Sequence, residues 1–123
     1  MGPFKDGWTQ ADAEAIIARG DPEEILYVPI VVALNPPDCA WAQEICIRLA
    51  AHEHPDVRAN AVLGFGHLAR ICGKLDEARV RPIIEAALRD PDRRVRGQAD
   101  AAASDVGMFL DWLIERPDWT EED

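Results

Sequence analysis

Apolar residues recur every three to four positions along most of the chain, which is the period of an α-helix with one buried face. Residues that favour helix starts and stops separate the segments. Thr9 and Asp12 resemble a capping box, Gly20 follows the first segment, and Asp21 with Pro22 begins the second. The pattern predicts six helices, at about residues 10–19, 22–34, 38–53, 55–72, 77–90 and 92–115, and a frayed acidic tail at 117–123. We therefore predict an all-α fold in a single domain over residues 1–123.

The apolar segment ILYVPIVVAL, residues 25–34, contains enough β-branched residues to imitate a buried strand. Its length and the DPEE helix start before it favour a helix instead. Pro29 either kinks that helix or begins a new one.

Two internal segments superpose with an offset of 38 residues, counted from Val57 to Val95. The first begins at Pro55 and the second at Pro91, and each continues through a Val-Arg pair into a helical pattern. In the first segment, one stripe faces the neighbouring helix. Its members are Val57, Ala61, Gly64 or Phe65, and Leu68. The small residues in this stripe allow two helices to approach closely.

These residues resemble the HEAT-repeat family, whose units combine a proline in the first helix, an Asp-Pro-Asp turn and a Val-Arg start of the second helix. Residues 57–68 match in the middle unit, and the last unit matches at Pro82, Leu88, 90–92, Val95 and Arg96. The resemblance covers about residues 22–107. It implies a short, right-handed α-solenoid of about six helices in three pairs. We pair helices 1–2, 3–4 and 5–6, although helices 2 and 3 also resemble a unit, and the first pair is either a true repeat or a cap.

The resemblance argues against one known activity of this fold. HEAT-type deoxyhypusine hydroxylases bind two irons through His-Glu pairs placed just after Val-Arg. Here those positions are Ala59-Asn60 and Gly97-Gln98, so the activity is not implied. We expect no enzymatic activity and no cofactor.

All three histidines lie between His52 and His67, and the HEH motif at 52–54 suggests a metal site. A tetrahedral zinc would need two further ligands, for which Asp56 and Cys72 are the candidates. We favour the simpler interpretation, in which His52 and His54 are polar residues of a helix joint.

The three cysteines form no CxxC pair. Cys39 and Cys46 would lie about 10 Å apart by helical rise, too far for a disulfide. We therefore expect reduced, mostly buried thiols, as in a cytoplasmic protein. No 18-residue apolar run is present, and residues 1–20 carry five charged side chains, so we expect neither a membrane span nor a signal peptide.

The formal net charge of −10 is unevenly distributed. Residues 1–47 sum to −6, residues 48–96 to +3 and residues 97–123 to −7. Such a surface repels nucleic acid and attracts a basic protein. We predict a protein partner, basic in character, and no nucleic-acid or membrane partner.

Helix-pair solenoids use the outward positions of their second helices to bind proteins. We predict that Asn60, Leu63 and His67, beside Ala59, face outward in the middle unit. In the last unit the corresponding residues are Gln98 and Asp105, beside Gly97 and Ala101. Asp100, Asp111 and Glu115 are predicted to share one acidic face of the last helix.

Small, acidic, single-domain HEAT-like proteins are similar to bacterial immunity proteins, which neutralise a cognate toxin by covering its active site. The first hypothesis is therefore a non-enzymatic binding protein of this kind with a basic toxin as its partner. The second is an adaptor or subunit of a larger complex. The third, which we favour least, is a metal-dependent HEAT-fold enzyme built on the histidine cluster.

Overall fold

The computed structural model describes residues 1–118, and every regular element in that range is a helix. The helices are α1 (Gln10–Arg19), α2 (Pro22–Ile25), α3 (Tyr27–Leu34), α4 (Cys39–Leu49), α5 (Pro55–Cys72), α6 (Glu77–Ala87) and α7 (Arg93–Leu110). The all-α prediction is confirmed for these residues. The segment predicted as one helix at 22–34 divides at Leu26 into a short α2 and α3.

The helix starts follow from local side-chain chemistry. Thr9 and Asp12 form the predicted capping box, and the Asp38 carboxylate accepts a hydrogen bond from the Trp41 amide at 2.8 Å. Pro22 and Pro55 occupy first-turn positions, where a missing amide proton costs no hydrogen bond.

Three helices end earlier than predicted. α4 ends at Leu49 rather than 53, α6 at Ala87 rather than 90, and α7 at Leu110 rather than 115. At the end of α7, Asp111 adopts a left-handed conformation with φ of 58°, and the Trp112 amide donates to the Val106 carbonyl at 3.2 Å. The chain therefore turns back at Asp111, and residues 111–118 run on without regular structure. Of the predicted acidic tail, residues 119–123 lie outside the described part.

The central element is α5, which packs against α7, α3, α4 and α6. All positions of its predicted apolar stripe are buried, namely Val57, Ala61, Gly64, Phe65 and Leu68. A Cβ added to Gly64 would lie 2.7 Å from the Cys46 sulfur, which confirms that this glycine permits close packing of α5 on α4.

The cysteine prediction was wrong for two of the three residues. Cys39, in the first turn of α4, and Cys72, at the end of α5, form a disulfide with their Cα atoms 6.2 Å apart. The distance between Cys39 and Cys46 along one helix leaves open a bond from Cys39 to a cysteine on the neighbouring helix, which is where Cys72 lies. Cys46 is a free, fully buried thiol, and burial raises its pKa to about 12. The disulfide also removes the support that reduced thiols were expected to give to a cytoplasmic location.

Candidate partner-binding surface

The turns before α5 and α7 are built alike, 38 residues apart. The Arg58 guanidinium donates to the carbonyl oxygens of His52 at 3.1 Å and Glu53 at 2.8 Å. Arg96 donates in the same way to the carbonyl oxygens of Asp90 at 2.8 Å and Pro91 at 3.2 Å. In both turns an arginine therefore binds the backbone five and six residues before it.

An ion pair joins the two turns. Arg58 donates to both carboxylate oxygens of Asp90 at 3.0 and 3.1 Å, and the two side chains are only 20% and 13% exposed. Partial burial raises the pKa of Asp90, but the hydrogen bonds from Arg58 and the Asp92 amide, with the charges of Arg58 and Arg96, outweigh it and hold that pKa below its ordinary value. A second, more exposed pair connects Arg94 with Asp56. The same residues that define the repeat therefore fix one unit to the next.

The HEH motif forms part of the first turn. His52 Nδ1 accepts a hydrogen bond from the His54 amide at 3.0 Å, and His54 Nδ1 accepts one from the Asp56 amide at 3.2 Å. His54 is thus the N-cap of α5. Both other candidate ligands are engaged elsewhere, since Asp56 pairs with Arg94 and Cys72 is in the disulfide. Within residues 1–118, no group of three or more His, Cys, Asp or Glu side chains is placed to hold a metal ion.

The predicted outward face of the middle unit is only partly outward. Ala59 is fully buried and Asn60 is 4% exposed, with its amide donating to the Leu26 carbonyl at 2.9 Å. The outward assignment was wrong for both residues. For Asn60 the reason is that α3 packs over this side of α5. Leu63 and His67 are half-buried and reach the surface.

His67 lies where α5 meets α7. Its ring stands 3.4 Å from the Arg70 guanidinium, and burial together with the Arg70 charge lowers its pKa, against the opposing charge of Asp105. Asp105 lies against Gly66, because a Cβ added there would be 3.1 Å from the Asp105 Cβ. The structure therefore brings together His67 and Asp105, which were predicted for different units.

The predicted single acidic face on the last helix is wrong. Asp100 does lie on α7, but its carboxylate pairs with Arg116 at 3.1 Å, and the same guanidinium donates to the Ser104 hydroxyl at 2.8 Å. Asp111 lies at the turn and Glu115 in the following irregular segment, because α7 ends at Leu110. Gln98 is half-buried on α7, beside an exposed Gly97.

A surface at the end of α7 was not predicted from the sequence. We call it the C-terminal corner, and it consists of three apolar residues and two carboxylates, namely Met108, Phe109, Leu113, Asp111 and Glu115. The exposed fraction of the side chain is 72% for Met108, 42% for Phe109 and 86% for Leu113. Because a helix was predicted through residue 115, the sequence pattern that marks this surface was not recognised. In an irregular segment, the sequence Trp-Leu-Ile-Glu at 112–115 alternates between buried and exposed residues.

Comparisons with known proteins give one structural match. No family model matches the chain, and no curated protein matches it. The crystal structure of a CDI complex from Cupriavidus taiwanensis LMG 19424 contains a chain that is 26% identical to this one. The TM-score is 0.72, and the match covers 89% of this chain and 95% of that chain. The two chains therefore share one helical architecture over nearly their whole lengths.

Among residues 1–118, no helix combines the length and the apolar character that crossing a bilayer requires.

Proposed function

We propose that this chain is a non-enzymatic immunity protein, which binds a basic cognate toxin and neutralises it by covering its active site. The observation that carries the proposal is the match, over 89% of this chain and 95% of the other, to a chain of a CDI complex, where CDI denotes contact-dependent inhibition by a toxin with its immunity protein. A match over 95% of the other chain involves nearly all of that chain rather than one shared helix pair.

Charge supports the assignment of this chain to the inhibitory role and of a basic protein to the toxic one. The chain carries −10 at neutral pH, and residues 97–123 alone contribute −7. Complementary charge speeds the encounter of two proteins and suppresses wrong partners. A toxin that attacks nucleic acid has a basic active-site cleft, and an acidic protein competes for that cleft.

The architecture that we propose for this role is a short, right-handed HEAT-like solenoid. Its support is the repeated turn, in which Arg58 and Arg96 bind equivalent backbone carbonyls, and the Arg58–Asp90 pair between the units. A rigid repeat array presents a preformed surface, so that little ordering entropy is lost on binding.

The proposal is tested by co-expression. The cognate toxic domain, sought among the proteins encoded beside this chain, is expressed in a host from an inducible promoter, with and without this chain. We expect growth arrest by the toxic domain alone and restored growth when this chain is present. An unrelated acidic helical protein of similar size serves as the control and is expected not to restore growth.

Two results would contradict the proposal. Growth arrest that this chain does not relieve, although both proteins are present in soluble form, would remove the immunity function. Recovery of a stable multi-protein assembly without any toxic component would instead favour the adaptor hypothesis.

A further inference from the structure

We infer that the C-terminal corner is the surface on which the basic toxin docks, with Leu113 and Met108 as its apolar anchors. This inference rests on the proposed function and assigns the binding surface within it. Ala59 and Asn60, two of the positions predicted to face outward, are buried and do not form part of this surface.

The corner concentrates exposed apolar side chains. Six large hydrophobic residues are exposed in the described part of the chain, and Met108, Phe109 and Leu113 are three of them. The other three, Met1, Leu34 and Ile71, belong to the N-terminal segment, α3 and α5. Single exposed residues of that kind are ordinary on a protein surface, whereas three within six residues concentrate exposed apolar area at the end of α7.

The corner is held in place from beneath. Trp112 and Ile114, on either side of Leu113, are buried at 8% and 4% exposure. The Arg81 guanidinium lies 5.8 Å from the centre of the Trp112 ring and donates to the Leu113 carbonyl at 2.7 Å. Leu113 is therefore exposed on an anchored backbone, and such preorganisation lowers the entropic cost of binding.

The acidic residues of the C-terminal corner favour a basic partner. Asp111 and Glu115 are both exposed, and neither forms an ion pair within residues 1–118. The neighbouring Arg116 is paired with Asp100, so its charge is locally compensated. Apolar anchors surrounded by uncompensated carboxylates fit a partner that offers an apolar pocket with a basic rim. A second copy of this chain would oppose carboxylate to carboxylate at the same place.

The test measures binding of this chain to the cognate toxic domain by isothermal titration calorimetry. We expect Leu113→Ala and Met108→Ala each to weaken binding by about tenfold or more, as anchors do. The matched control is Leu34→Ala, which shortens an exposed leucine on α3 and is expected to change Kd by less than about twofold. Thermal unfolding of every variant checks that the fold is retained.

The charged rim is tested by association kinetics. The double variant Asp111→Asn, Glu115→Gln keeps side-chain size, and asparagine tolerates the left-handed conformation at 111. We expect a several-fold slower association at low salt and a weaker dependence on salt. Asp6→Asn, at an exposed acid of the N-terminal segment, is the control.

The outcomes separate the two proposals. If the wild-type chain does not bind the toxic domain, the proposed function fails. If the wild-type chain binds but Leu113→Ala and Met108→Ala bind as tightly as Leu34→Ala, the corner is overturned while the function stands. A wild-type dimer in sedimentation equilibrium that Leu113→Ala abolishes would assign the corner to a second copy and would also overturn the inference.

Discussion

The helix pairs α4–α5 (the first pair) and α6–α7 (the second pair) contain the same type of turn between their helices, but the surroundings of the two pairs differ. In the first pair, the second helix is covered by neighbours, contains the buried Asn60, and is joined to α4 by the disulfide between Cys39 and Cys72. In the second pair, Gly97 is exposed, and α7 ends in an apolar corner flanked by carboxylates. The same sequence pattern therefore leads into a helix that neighbours cover in the first pair, and into a helix that ends beside exposed apolar residues in the second.

The disulfide is the largest difference between the pairs, and its removal has the largest expected effect on stability. It closes a segment of 33 residues, and constraining the unfolded chain over that length corresponds to about 3–4 kcal/mol. We expect Cys39→Ser and Cys72→Ser each to lower the free energy of unfolding by roughly this amount in urea titrations. The double variant is expected to lose no more than either single variant, and wild-type protein under reducing conditions is expected to match them. Additive losses would show that the two cysteines are not bonded.

The ion pair that connects the two units gives the next largest effect. Arg58→Ala removes four hydrogen bonds, two to Asp90 and two to backbone carbonyls, and leaves a mostly buried carboxylate without its partner. We expect a loss of about 2–4 kcal/mol in the free energy of unfolding. Arg48→Ala, which breaks an exposed pair with Glu14, is the control and is expected to cost less than about 1 kcal/mol. Equal losses in the two variants would mean that burial does not distinguish these pairs.

Alanine substitutions at two glycines test the difference in packing between the pairs, because we expect them to change the free energy of unfolding in opposite directions. Gly64→Ala places a methyl group against the buried Cys46 sulfur, and we expect a loss of about 1–2 kcal/mol. Gly97→Ala, in the second pair, adds a methyl group that meets no atom within 4 Å. Since alanine favours a helix over glycine, we expect Gly97→Ala to raise the free energy of unfolding by about 0.5–1 kcal/mol. Thermal and urea unfolding measure both, and a stabilising Gly64→Ala would contradict the close approach of α4 and α5.

His67, which lies where α5 meets α7, gives the smallest expected effect, a change in how the free energy of unfolding depends on pH. Because the pKa of His67 is lowered in the folded state, the unfolded chain binds the proton more tightly. The contribution of His67 to stability is therefore complete above its unfolded pKa of about 6.5 and is lost as the pH falls through the lower, folded-state value. We expect His67→Gln to reduce the loss of stability between pH 7 and pH 5, measured by urea unfolding at each pH. A steeper dependence in the variant would contradict the direction of the shift.

Helix starts could be predicted from the sequence, whereas several helix ends could not. Thr9, Asp38 and Asp92 each supply a side-chain acceptor for amides one turn ahead, which is chemistry that local sequence reveals. Ends marked by glycine, at Gly20 and Gly73, were also placed correctly.

The remaining ends depend on tertiary structure. The turn at Asp111 carries no glycine, and it is supported by burial of Trp112 and Ile114, which no local pattern reveals. Because the turn at Asp111 was not predicted, the last helix was extended to residue 115, and Asp100, Asp111 and Glu115 were wrongly placed on one helical face.

The repeat was visible in the sequence, but the surroundings of its two copies were not. The offset of 38 residues correctly related Arg58 to Arg96. It could not show that α3 covers Asn60 or that Cys39 meets Cys72 across two helices, because both are contacts between distant segments. Whether Leu63, His67, Gln98 and Asp105 contact a partner stays a prediction.

Hydrogen–deuterium exchange of the chain, free and bound to its cognate toxic domain, tests most directly whether the second pair contacts the partner while the first pair stabilises the fold. We predict that binding slows amide exchange at residues 108–115 and leaves residues 56–62 of α5 unchanged, because these residues belong to the first pair and lie away from the proposed docking surface. Slower exchange confined to α1–α5, with residues 108–115 unchanged in the complex, would contradict the account.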